Sequence, residues 1–339
     1  MVNVKGYLSS NFTKSFLTIF LPFFLIISLV YLVKISALTA KIQISFLELL
    51  TLYSYSVPDI IFYTLPLSFI AGLTNVLIRL SQDNELIALY ALGLNAQKIL
   101  RSAFILGLLF SLLLFVISFL AMPLSKQYYK SFKEGKKAEV KLNIVAGKLG
   151  QKFGNYYIYV EDKKKDKLQN IVIYNRTNKE NEQFFSSQEG EIKHKKNVTS
   201  LLLNDGYGYT YDKKNLQQAK YKTLEVYDTI HAKSFKFEDL VDYWGKALKD
   251  IHMMHRLLFF LFVSFIPTLS VYLVSTFSMI NPRYQSNHTF LIVFSITFLL
   301  YAIASALEKW GTPLLLVITL INIIALGKWL FQKRVAKYF

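Results

Sequence analysis

The sequence predicts an α-helical membrane protein with six transmembrane helices, grouped three and three around an inserted all-β, jelly-roll-like external domain. Three observations carry that expectation. Of the 339 residues 53% are hydrophobic and 16% aromatic, yet the apolar residues are concentrated in runs rather than spread as in a soluble core. Six of these runs extend for about 18 residues or more without a charge, the length of helix that crosses a hydrocarbon core of roughly 30 Å. Between the third and fourth runs the hydrophobic period changes from helical to two.

The first run, Ser15–Val33, comes after Lys5 and Lys14, as the apolar part of a signal peptide would. It is longer than the roughly 7–15 residues of such a segment, and Lys34 arrives before any small-residue cleavage site, so an uncleaved first span is expected. Ile60–Ile78 and Ser102–Ser125 supply the second and third spans, and Leu257–Pro282, Tyr284–Leu307 and Trp310–Gly327 the last three. The organisation is therefore 1–125 for the first three helices, 126–256 for the external domain with its flanking linker helices, and 257–339 for the last three helices and a basic tail. The chain has no cysteine, so the external domain relies on packing and strand pairing.

Orientation is set by the cations of the short connections. With the N-terminus inside, Lys5, Lys14, Arg79, Lys98, Arg101, Arg283, Lys328, Lys333, Arg334 and Lys337 are cytoplasmic, against Lys34, Lys41 and Lys309 opposite. Both termini are thus expected on the cytoplasmic side. The lysine-rich 126–256 segment lies outside without conflict, because long domains translocate largely regardless of charge. About half of the net charge of +17 falls in that segment. No helix-turn-helix or aromatic-interleaved RNA motif accompanies it, so nucleic acid is not the expected partner. Lipid phosphates, or simply a solvated face, account for the basic excess.

Within 126–256, Asn155–Glu161, Leu168–Asn175, Val198–Asn204, Tyr207–Asp212 and Tyr221–Ile230 read as strands, with "NDG" (Asn204–Gly206) as a turn. Short strands at this spacing suggest an antiparallel sandwich or jelly roll. His194 and His231 stand alone among lysines and read as surface residues.

The stretch "RLSQDNELIALYALGLNAQKILR" (Arg79–Arg101) interrupts the apolar runs with a short amphipathic helix near residues 81–95. Ser81 or Asp83 is expected to cap its N-terminus, Leu86, Leu89, Tyr90 and Leu94 to form its apolar stripe, and Gly93 to end it. A plain interfacial connector would satisfy that pattern. Glu85 argues for more: an acid beside an anionic leaflet is better matched to a basic protein partner.

The arrangement of three spans, external β domain and three spans resembles the LptF/LptG permease family, the membrane subunits of the lipopolysaccharide exporter. "VPDIIFYTLPLSFIAGL" (Val57–Leu73) resembles the family's second span, and the segment with Glu85 eight residues before Gly93 resembles the family's next segment. "INPR" (Ile280–Arg283) is closer to the LptF branch than to LptG. The resemblance implies a permease in the inner membrane with no cofactor and no catalytic residue of its own. It also implies a paralogous permease subunit, a cytoplasmic LptB-like ATPase dimer and periplasmic LptC/LptA-like bridge proteins as partners, with lipopolysaccharide as cargo. No G-x-x-x-x-G-K-[ST] is present, in keeping with an ATPase supplied by a partner.

On that resemblance Asp83, Glu85, Leu86, Leu89 and Gly93 form the ATPase-coupling site. Lys34 and Lys41, at the outer end of span one, would meet lipid phosphates, with Phe24 and Leu32 along the lipid path. A lone interfacial lysine more commonly just snorkels. Asp59 is read as an interfacial cap or a lysine's partner rather than a proton carrier. Span one, with Phe16, Phe20, Phe23 and Phe24 and no small-residue face, is expected to be loosely held. Two other readings remain open on the residues alone. One is a permease of another lipid or lipoprotein-releasing ABC system. The other is a secondary transporter, which should carry ionisable residues at mid-span.

Overall fold

The computed structural model describes residues 4–39, 44–140, 144–153, 156–164, 167–175, 181–195, 198–212, 215–227, 236–279 and 288–337. Lys41, the Ile280–Arg283 motif and His231 lie outside the described residues. The chain divides into two compact units. One comprises Met1–Ala37, Ser45–Tyr129 and Phe237–Phe339; the other comprises Leu38–Ile44 and Lys130–Lys236.

Six helices are long and apolar enough to cross a membrane, spanning Gly6–Ala37, Phe46–Gln82, Ala96–Gly135, Ile251–Ser278, Thr289–Trp310 and Pro313–Ala336. These segments are built from α1 (Val4–Thr39), α2 (Phe46–Gln82), α4 (Ala96–Val116) and α5 (Met122–Val140), which continue through one π-helical turn, and α7 (Ile251–Ser278), α8 (Thr289–Trp310) and α9 (Pro313–Phe331). Two short helices, α3 (Glu85–Ala91) and α6 (Leu240–Gly245), complete the set among the described residues. Each expected span lies within one of these segments or overlaps it; the ends placed at Pro282 and Tyr284 fall outside the described residues.

The spans are held by small-residue contacts and hydroxyls, as expected where lipid removes the hydrophobic drive between helices. α2 and α7 are central; 72% of the most apolar stretch of α2 is buried, against 11% for α1. A side chain at Gly107 of α4 would meet Val271 Cγ2 at 2.9 Å and the Pro267 carbonyl at 3.1 Å, so the two backbones approach closely there. Ser111 Oγ accepts from the Thr268 amide at 3.2 Å and from its hydroxyl at 2.8 Å, and Ser118 meets Ser264 at 3.0 Å. Pro123 has no N–H for the Phe119 carbonyl four residues earlier. The Trp244 indole of α6 donates to that carbonyl at 3.0 Å, at the point where the π turn (Ile117–Ala121) reroutes the ladder.

The second unit contains one antiparallel sheet in sequence order: β1 (Gln151–Phe153), β2 (Tyr156–Lys164), β3 (Lys167–Asn175), β4 (Asn181–Lys195), β5 (Val198–Asp212) and β6 (Asn215–Tyr227). The all-β inserted character is as expected, and the connectivity is an up-and-down meander. Its apolar face pairs Ile158 with Ile173, Val160 with Ile171, Leu201 with Val226 and Leu203 with Leu224. Ile144 joins this core. The "NDG" turn is overturned: residues 198–212 form one strand, and Asp205 takes a positive φ of 50° inside it. Asn170 of β3 does the same at 50°, and the regular pairing skips both residues, leaving a crease across the sheet. Gly206 lies beside the crease. A Cβ there would run into the Ser186 carbonyl and sit 2.5 Å from the Tyr221 hydroxyl, so only glycine fits.

Candidate coupling helix and cation cluster

The candidate coupling segment is built by interrupting a helix. α2 continues through Arg79 and Ser81 to Gln82, so neither Ser81 nor Asp83 caps α3 as expected. Ser81 Oγ instead donates to the carbonyls of Leu77 at 2.9 Å and Ser278 at 3.0 Å, tying the ends of α2 and α7 together. Asp83 is the C-cap of α2 and pairs with Arg79 at 3.5 Å, an exposed i,i+4 contact of little energetic weight. The break itself is Asn84, in the left-handed conformation at φ 58°, which turns the chain into Glu85.

Gly93 ends α3 as expected, with φ +82°. The Gly93 amide donates to the Tyr90 carbonyl at 2.9 Å and the Leu94 amide to Leu89 at 3.1 Å, the two bonds of a Schellman motif. Leu86 is buried and Leu89 and Tyr90 pack against the helical core. Ile87 on the helix and Leu92 just beyond it are exposed, Leu92 at 80%. The inward stripe alone does not reveal these two exposed apolar residues. Glu85 is half-buried, and its carboxylate accepts from the Tyr7 hydroxyl of α1 at 2.7 Å.

Far along α2 lies the second cluster. Asp59 pairs with Lys126 of α5 at 3.6 Å. The charges of Arg256 on α7 and, more weakly, Lys34 on α1 also reach that carboxylate. Phe260 stacks under two of the cations, with Lys126 Nζ 5.2 Å and the Arg256 guanidinium 6.0 Å from its ring. Asp59 is thus a lysine's partner, as expected. Sequence reasoning missed Lys126 and Arg256. Each lies within a turn of the end of an apolar run, on the same side as Lys34, and that placement was the available signal.

Lys34 is exposed, with Nζ 5.4 Å from the Tyr31 ring. Phe24 and Leu32 are half-buried on the face of α1 that holds Ser28, whose Oγ accepts from Tyr53 of α2 at 2.9 Å. The open apolar ridge runs instead through Leu21, Leu25, Ile26, Leu29, Val30 and Val33. The loosely held helix needs correction in its first half. Phe12 and Phe16 are buried, Phe12 lies 5.2 Å from Phe69 and 5.6 Å from Phe110, and Gly72 lets the Phe16 backbone approach α2. Only the second half, beyond Pro22, is free of such contacts to the core cluster. Among the described residues no group of His, Cys, Asp and Glu is arranged to hold a metal.

No curated protein matches the chain. A family model described as the lipopolysaccharide export system permease LptF/LptG matches residues 6–333, nearly the whole sequence. With that match, six helices of spanning length and an inserted antiparallel sheet, the chain is a multi-pass inner-membrane transport subunit that belongs to the LptF/LptG permease family.

Proposed function

We propose that this chain is a non-catalytic subunit of an ATP-driven exporter that extracts lipopolysaccharide from the outer leaflet of the inner membrane and passes it through its β domain toward the outer membrane. The observation that carries the reading is the placement of two unlike sites on α2. Asp59 and Asp83 are 24 residues apart, roughly 36 Å along a helix, which is the distance between the two surfaces of a bilayer. One end presents a short helix with an exposed apolar pair and an acid. The other pairs Lys126 with Asp59, sets Arg256 over the same Phe260 ring as Lys126, and has Lys34 within reach of their charge.

In mechanism, the ATPase dimer docks on α3, with Ile87 and Leu92 entering an apolar cleft and Glu85 or Asp83 meeting basic residues of the partner. Leu86 and the Ser81–Ser278 contact transmit the movement of α3 to the ends of α2 and α7. At the outer surface the cations receive the phosphates of lipopolysaccharide, while its acyl chains lie against the exposed ridge of α1 and the facing span of a paralogous permease. The half-buried position of the cluster raises the strength of each phosphate contact over its value in water. The apolar face of the sheet, with Ile158, Ile171 and Leu203, then takes the acyl chains, and LptC/LptA-like proteins continue that surface. Both termini and α3 are cytoplasmic in this scheme, and the sheet is periplasmic.

Affinity purification of the tagged chain from native membranes tests the reading. A stoichiometric ATPase and a second permease of the same family are expected. Recovery of the chain without an ATPase would contradict it.

A further inference from the structure

A polar cleft of about 300 Å³ opens between α1 and α2 at the end of the molecule that carries α3. Its walls are Tyr7, Asn11, Lys14, Ser15 and Thr18 on α1, facing Asn75 and Arg79 on α2, with Glu85 at the rim. The α1 residues recur at three and four positions, so they form one continuous polar face on a helix that is otherwise apolar as it enters the membrane. Asn75 and Arg79 are one turn apart and point at that face, and Asn75 Nδ2 donates to Ser15 Oγ across the cleft at 3.0 Å. Polar groups at this depth persist where something polar meets them.

Beside Val76 and Leu80, the lining offers the Lys14 ammonium, two amides, the Ser15 hydroxyl and the Arg79 guanidinium, which also pairs with Asp83. The Tyr7 and Thr18 hydroxyls already donate to Glu85 and the Lys14 carbonyl. Its one carboxylate, Glu85, is already occupied by the Tyr7 hydroxyl. Lys14 makes no ion pair among the described residues. Such a site suits an anion with several acceptor oxygens. Continuing along the same side of α1, Leu17, Leu21 and Leu25 are exposed, a track for an alkyl chain directly beyond the cations. We propose that this cleft binds the phosphate headgroup of an anionic phospholipid of the cytoplasmic leaflet, with Lys14 and Arg79 on the phosphate and Leu17 and Leu21 against the acyl chain. Because Glu85 shares the cleft, the bound lipid reports directly to the coupling helix. This site is separate from the outer cation cluster, and it depends on the proposed orientation only for the name of the leaflet.

The test uses the whole permease complex in phosphatidylcholine nanodiscs containing phosphatidylglycerol with a photoactivatable acyl chain, and maps the crosslinked peptides by mass spectrometry. Crosslinks on residues 14–25 are expected. The double substitution Lys14→Gln with Arg79→Gln should lower them on the order of tenfold, and Lys14→Arg should retain them. Should the double variant not assemble, Lys14→Gln and Asn75→Ala singly should each lower them about threefold. Crosslinks undiminished by these changes, crosslinks to a partner subunit lying in the cleft, or displacement of the lipid by inorganic phosphate would each overturn the assignment. Nanodiscs expose both leaflets equally. Failure here therefore rejects the site, whereas failure of the orientation appears only in sidedness labelling.

Discussion

Asp59→Asn removes the carboxylate that pairs with Lys126, and that the charges of Arg256 and Lys34 also reach, while leaving its shape intact. The Asp59–Lys126 pair is 3.6 Å long, and its side chains are 23% and 33% exposed. At an effective dielectric constant of about 20, unit charges at that distance attract by roughly 5 kcal/mol. Desolvation of both groups opposes this, and the nearby Arg256 repels Lys126, so a net contribution of about 1–3 kcal/mol remains. Asp59→Asn should lower the melting temperature of the purified complex by several degrees. In a double-mutant cycle with Lys126→Gln, the coupling energy should fall within about 1–3 kcal/mol. Lipopolysaccharide should raise the melting temperature of the variant more than that of the wild type, because lipid phosphates replace the missing carboxylate. Coupling below about 0.5 kcal/mol, or equal stabilisation of both proteins by the lipid, would refute the electrostatic role given to this cluster.

Other sites respond to substitution in ways as readily measured. Glu85→Ala should leave membrane insertion intact and sever ATPase coupling, read as loss of lipid-stimulated ATP hydrolysis in the reconstituted complex. Gly206→Ala should destabilise the sheet by about 2–4 kcal/mol because its Cβ meets backbone. Gly93→Ala, with nothing within 4 Å, should cost only about 1 kcal/mol through its positive φ; thermal denaturation of the two variants checks the order. Cysteine at 205 should label from the periplasm and cysteine at 92 from the cytoplasm.

The spans are legible in the sequence because a charge-free run of spanning length has few alternatives, and five of the strands or strand halves because β-branched and aromatic residues alternate. The features that escape have specific causes. β4 is missed since "FSSQEGEIK" carries few apolar residues; its inward positions include Ser187 and Gly190, chosen for close approach rather than hydrophobicity. Asn204–Gly206 has turn chemistry, but the positive φ it supplies creases a strand instead of reversing it. The start of α3 is misplaced because Asn84 breaks the helix by its backbone conformation, whereas Ser81 and Asp83 only carry capping side chains. At the sites, Glu85, Leu86 and Leu89 are legible from local spacing. The Tyr7–Glu85 bond spans 78 residues and the Asp59–Lys126 pair joins separate helices, so neither has a local signature.

The decisive experiment is ATP-dependent transfer of lipopolysaccharide out of proteoliposomes that hold this chain with its partner permease and ATPase. Transfer should require ATP, fall sharply with Lys34→Glu while basal hydrolysis continues, and trap lipopolysaccharide on a photocrosslinker at Leu29. Undiminished transfer by Lys34→Glu, with no lipid captured at Leu29, would contradict the proposed path.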